Sequence, residues 1–155
     1  MSRFKLSFNW ALVFLWMGVI FYFSSQEGLI SHQKSFSLTV AVEKVIEMIT
    51  GEDVVNTQNR QEFEFIIRKI AHITEYFILS FLFFRAFINT NKNFKLSFIL
   101  TAVFSIIYAS TDEVHQIFVA GRGPSPVDVM IDSIGIFGYL MMKKFLYKNR
   151  LPVIS

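Results

Sequence analysis

Two short stretches carry nearly all the residues that could do chemistry. In RKIAHITEY, Arg68, His72 and Glu75 stand at i, i+4 and i+7, and Lys69, His72 and Tyr76 form the neighbouring stripe of the same helix. An imidazole with a carboxylate one turn on and cations one turn before can be oriented and tuned for general acid or base work. In YASTDEVHQIFVAGRGPSPVD, residues 108–128, Asp112, Glu113, Gln116, Arg122 and Asp128 lie between two strongly apolar runs, and Asp132 follows one turn further on. Asp128, Asp132 and Gly135 repeat the i, i+4, i+7 spacing. Gly138 continues that side, so the small residues would let another helix approach closely.

Simpler roles exist for several of these groups. Ser125 as N-cap, Pro126 at N1 and Asp128 at N3 make an ordinary helix start with a dipole-matched carboxylate. Asp132 is harder to explain that way, because an unpaired carboxylate one turn deeper in hydrocarbon costs about 2.5–3.5 kcal/mol. His115 points about a right angle away from Gln116 and stays outside the cluster. Tyr22, Tyr76 and Tyr108 read as aromatics of the membrane interface.

The elements that must position these groups are apolar. Of the 155 residues, 53% are hydrophobic and 19 are Phe, with only 17% charged, which is too apolar for an ordinary soluble domain. The absence of cysteine removes disulfides, thiol chemistry and Cys-ligated metals. Four membrane spans are expected at about 6–23, 70–88, 96–108 and 127–142, several near the lower limit of length. The first follows Arg3 and Lys5 but FYFSSQEG lacks a small-x-small cleavage site, so it reads as an uncleaved span. The expected fold is an all-α membrane protein, a single domain over 1–155, with four transmembrane helices.

With the N-terminus inside, nine of the 15 Lys and Arg fall on short cytoplasmic pieces, which favours N-in, C-in in a cytoplasmic membrane. The net charge of +3 is thereby a topology signal and no sign of nucleic acid. Loops 24–69 and 109–126 then face outward. Within the first, FSLTVAVEKVIEMI (36–49) sets Phe36, Leu38, Val42, Val45, Ile46 and Ile49 on one face, against Glu43, Lys44 and Glu47 on the other. It is either an amphipathic helix on the outer membrane surface or a helix packed over the bundle. Residues 51–61 read as a polar linker. This topology brings His72, Glu75, Asp112, Glu113, Gln116, Arg122, Asp128 and Asp132 to one membrane face, together with Ser24, Ser25 and Gln26.

RKIAHITEY, the stretch YASTDEVHQIFVAGRGPSPVDVMIDSIG and FSSQ at the end of the first span together resemble the VanZ family of small bacterial membrane proteins, over roughly residues 8 to 142. The chain departs in having GRGPSP where a Thr-Gly or Ser-rich turn is common, and Ser133 where Thr or Asn is frequent. The charged set is intact. The family takes its name from a protein associated with resistance to the glycopeptide teicoplanin, and comparative proposals group it with base-exchange phosphatidylserine synthases. The resemblance therefore implies chemistry on lipid head groups or lipid-linked phosphates, with His72, Glu75, Asp112, Glu113, Gln116, Arg122, Asp128 and Asp132 as its site.

Such a substrate would be repelled by five carboxylates unless cations intervene. Arg122, with Arg68 or Lys69, would contact phosphate oxygens. A Mg²⁺, Mn²⁺ or Ca²⁺ ion on Asp112, Asp128 and Asp132 would neutralise the rest, although paired cation–carboxylate bridges would do so too. His72, held by Glu75, would deprotonate an alcohol or water, with Asp112, Glu113, Gln116 and Asp132 completing the catalytic set. The competing reading is a non-catalytic binder of a membrane lipid or lipoglycopeptide, and a third makes the polar cluster a structural tie. A Gly-rich phosphate loop, a His-Glu-x-x-His zinc motif and a Gly-x-Ser-x-Gly elbow are all missing. Oligomeric state is not legible.

Overall fold

The computed structural model describes residues 3–51, 59–123 and 125–149. They form α1 (Arg3–Ser24), α2 (Gly28–Thr50), α3 (Arg60–Asn91), α4 (Phe94–Gln116) and α5 (Pro126–Lys148), with no strand among the described residues. Most of the expected polar linker lies outside them. α1, α3 and α4 are long and apolar enough to cross a membrane. α5 matches α4 in length at 23 residues, but Asp128, Asp132 and its lysines keep it from the same measure.

The second expected span begins earlier than its apolar run suggests. α3 starts at Arg60, so Arg68, Lys69, His72 and Glu75 share one unbroken helix with the apolar stretch that follows. A helix continues through polar residues wherever nothing breaks it, and this segment has neither Pro nor Gly. The ends are set by local chemistry. Lys92 caps α3 in the left-handed conformation, Asn93 accepts from the Leu96 N–H at 2.9 Å to start α4, and Ser125 accepts from the Val127 N–H at 3.2 Å ahead of Pro126 to start α5.

α3 is central and touches all four other helices. Its Tyr76, Leu79, Phe83, Phe84 and Phe87 form the core with Val13 and Ile20 of α1 and Ile136, Tyr139 and Leu140 of α5. Phe77 and Phe84 meet the Tyr139 ring edge-on. The closest approach is at Gly135, where a Cβ would stand 2.1 Å from the Ile73 carbonyl oxygen. α3 and α5 run parallel there, backbone against backbone. Gly138, expected on the same side, is exposed and meets only Phe77 Cδ2 at 3.9 Å, because three residues from Gly135 already rotate it off the contact line.

α2 extends well beyond the anticipated 36–49 and packs against the start of α3, where Arg60 meets Glu43 at 3.0 Å. Thr39 is buried, while Val45, Met48 and Ile49 are exposed, Met48 at 84%. The start of α2 is held by the α4–α5 loop. Gly28 N–H donates to Ala120 O at 3.0 Å, and a Cβ on Gly28 would come within 2.1 Å of the Gly121 carbonyl oxygen.

Candidate functional site

The close approach at Gly135 sets Asp132, one turn earlier on α5, against α3. His72 Nδ1 lies 3.5 Å from Asp132 Oδ1, an ion-pair distance just outside ordinary hydrogen-bond length. One turn nearer the helix starts, the Lys69 ammonium pairs with Asp128. The two pairs stand like rungs between parallel helices. Asp128 is therefore more than a dipole-matched residue at a helix start, since its carboxylate reaches across to another helix. Asp132 is 1% exposed, and His72 is its one ionic contact among the described residues.

α4 supplies a second cluster. Gln116 Nε2 donates to Asp112 Oδ2 at 3.2 Å and to Glu113 Oε1 at 3.4 Å, one turn apart on one helix. Glu113 Oε2 accepts from the Ser125 N–H at 3.0 Å, which ties the end of α4 to the N-cap of α5. The other oxygen of Asp112 is buried, with the Ser24 hydroxyl of α1 in its vicinity. Trp16 Nε1 donates to the Glu75 carbonyl at 3.0 Å and fixes α1 beside this part of α3.

Two cavities meet over these groups. One, of about 240 Å³, lies between α1, α2 and α3, with apolar walls from Ile20, Phe23, Leu38 and Ile67 and polar walls from Glu75 and Asp112. The other, of about 180 Å³, is almost wholly polar and is lined by Lys69, Gln116, Asp128 and the loop glycines. Arg68, His72 and Arg122 line both. Arg122 folds back from the α4–α5 loop, donating from Nε to Gln26 O at 3.1 Å and from its terminal nitrogen to Phe23 O at 2.9 Å. Burial, with Arg68 close by, pulls its guanidinium below its ordinary pKa. Two guanidiniums held together in a partly buried wall are a place where an anion is favoured.

His72, Glu75, Asp112, Arg68 and Arg122 thus face one cavity, and Lys69, Gln116 and Asp128 face the adjoining one. Glu113 and Asp132 line neither, and act on the site through Ser125, Gln116 and His72. His115 turns away, packing at a tilt on Phe21 with ring centroids 4.5 Å apart and meeting Ser25 Oγ at 3.2 Å.

Two tyrosines correct the interface-belt expectation. Tyr76 is fully buried with its hydroxyl unpartnered in electrostatic reach of Asp112 and Asp132, and Tyr108 donates to Met17 O at 2.6 Å. Tyr76 stands four residues after His72, on the protein-facing side of the central helix. That spacing was the available signal.

The metal set of Asp112, Asp128 and Asp132 is not assembled. Among the described residues no three His, Asp or Glu side chains converge to hold an ion. Asp128 and Asp132 are instead engaged with Lys69 and His72, on the rungs between α3 and α5.

A profile of the VanZ/LLP1 family matches residues 8–147, from within α1 almost to the end of α5. This chain belongs to the VanZ/LLP1 family. No curated protein and no solved structure matches it. The region matched to VanZ/LLP1 contains all three apolar helices' cores and every polar group described above, so the site belongs to the family domain and not to an appended segment.

Proposed function

We propose that this VanZ/LLP1 protein is a membrane enzyme acting on the phosphate-linked head group of a lipid or lipid carrier, by exchange or hydrolysis, at the outer leaflet. In this reading α5 is the fourth span, both termini are cytoplasmic and α2 lies on the outer surface with Val45, Met48 and Ile49 toward the membrane. The observation that carries it is the shared wall of Arg68, His72 and Arg122 between an apolar-sided cavity and a polar one. A lipid phosphate has that same division, with hydrocarbon on one side and a hydrated head group on the other.

The chemistry follows from the pairing. With Asp132 at Nδ1, the Nδ1–H tautomer is favoured and Nε2 is left as the proton acceptor. Nε2 would take the proton of an alcohol or water entering from the polar cavity. The freed oxygen would bond to phosphorus, the bond to the original head group would break, and the leaving oxygen would take the proton back from His72. Arg68 and Arg122 would hold the phosphoryl oxygens as charge develops. Glu75 and Asp112 would position the incoming hydroxyl. No step is routed through a metal.

Lipid mass spectrometry of cells with and without the gene tests the proposal, the expected outcome being a changed head-group species. An unchanged lipidome with altered sensitivity to a lipoglycopeptide such as teicoplanin would overturn the enzyme in favour of a binder using the same cavity.

A further inference from the structure

All 12 acidic residues of the chain lie within 27–75 and 112–132. The end of the bundle away from His72 is built from the start of α1, the end of α3, the start of α4 and the end of α5, and it carries cations alone. A cavity of about 300 Å³ opens there between α3, α4 and α5. Phe84, Ile88, Phe94 and Tyr147 wall it, and Lys92 and Lys143 stand at it. The Phe94 and Tyr147 rings stack with centroids 4.0 Å apart, and Lys143 Nζ sits 5.4 Å from the Phe84 centroid.

A surplus of lysine at one end is what membrane topology alone would produce. A concave, aromatic-floored seat for two of them is not. Lys92 adds a second indication. It is the one non-glycine described residue in the left-handed region, at φ 59°, in a cap position where Gly or Asn is usual. Asn91 and Asn93 flank it, so a residue suited to that conformation was at hand on both sides. A cation thus stands at the cavity in a conformation that its own backbone disfavours.

We infer that this cavity binds the phosphate of an anionic phospholipid from the leaflet bordering the acid-free end. Lys92 and Lys143 hold the phosphate oxygens, and the aromatic wall takes the glycerol and upper acyl region. Basic pockets between membrane helices recognise anionic head groups by this combination of charge and enclosure. The site is separate from the His72 cluster and does not depend on what that cluster does.

Native mass spectrometry of the full chain released from detergent tests it, with phosphatidylglycerol, phosphatidylcholine of the same acyl chains and inorganic phosphate as probes. One phosphatidylglycerol should be retained more tightly than phosphatidylcholine, and inorganic phosphate at the lipid's concentration should not displace it. At roughly fivefold per lysine, Lys92→Asn with Lys143→Gln should weaken retention about 25-fold. Lys5→Gln with Arg85→Gln removes equal charge outside the cavity and should change it less than about twofold. Repeating the series in an Arg122→Gln background separates lipid held at the other end. Equal losses in the two double variants, equal retention of the two lipids, or displacement by inorganic phosphate would each overturn the inference. Lys92→Asn alone keeps a residue fit for the left-handed cap, and must by itself lower retention about fivefold.

Discussion

In the proposed reading His72 has two duties, as the Nδ1 partner of a nearly inaccessible carboxylate and as the group that takes the substrate proton. They predict different outcomes for different substitutions. His72→Gln keeps a polar side chain of similar reach, so the protein should accumulate normally while turnover falls by ~10²-fold or more, the usual scale of general-base loss. Immunoblot abundance beside lipid product formation reads both, and a variant that keeps near-normal turnover would remove His72 from the chemistry. A binder should tolerate His72→Gln better than loss of Arg122. Lys69 differs because its ammonium is engaged with Asp128. Lys69→Met should lower stability by about 1–3 kcal/mol by stranding the Asp128 charge, and adding Asp128→Leu should recover most of it. Thermal melts in detergent measure both, and no recovery in the double variant would mean that the pair is more than a structural tie. Because no step of the proposed reaction uses a metal, turnover should survive a chelator, and its loss would return an ion to the site.

Between elements, the decisive contact is the one that brings α3 against α5. Gly135→Ala would force its methyl into the Ile73 carbonyl and the Phe77 N–H, at 2.1 and 3.0 Å, so the helices must part. Such overpacking costs about 1–3 kcal/mol, and it should also lengthen the His72–Asp132 contact and depress turnover. Gly138→Ala has only Phe77 Cδ2 at 3.9 Å to meet and should be neutral or mildly stabilising, because Ala favours helix over Gly. Comparing the two melting temperatures with the two turnover rates checks the contact, and equal effects from both substitutions would contradict it. Neither glycine announces its role, since both occur on an apolar helix at small-residue spacing. Only the rotation of α5 about its own axis decides which one touches α3.

For the whole molecule, the segregation of charge predicts one orientation. Gln33→Cys in α2 and Gly123→Cys in the α4–α5 loop should label with an impermeant thiol reagent in intact cells, while Lys92→Cys at the α3–α4 turn should not. The natural chain has no cysteine, so each label reports one site. Labelling of Lys92→Cys alone would invert the protein and move the His72 cluster to the cytoplasmic leaflet. Apolar runs, the two polar stripes, the helix cap at Ser125 and the family likeness were all legible in the sequence, because each depends on residues within a turn or two of one another. The pairings were not. That His72 meets Asp132, that Lys69 is taken by Asp128, that Tyr76 is buried and that Glu113 holds the Ser125 N–H depend on how far each helix is rotated and how deep it sits. Those quantities are set by the Gly135 approach, the rings around Tyr139 and the seating of Gly28 on Gly121, contacts between residues far apart in the chain. Periodicity along one helix names the side chains that share a face, and tertiary packing alone decides what that face meets.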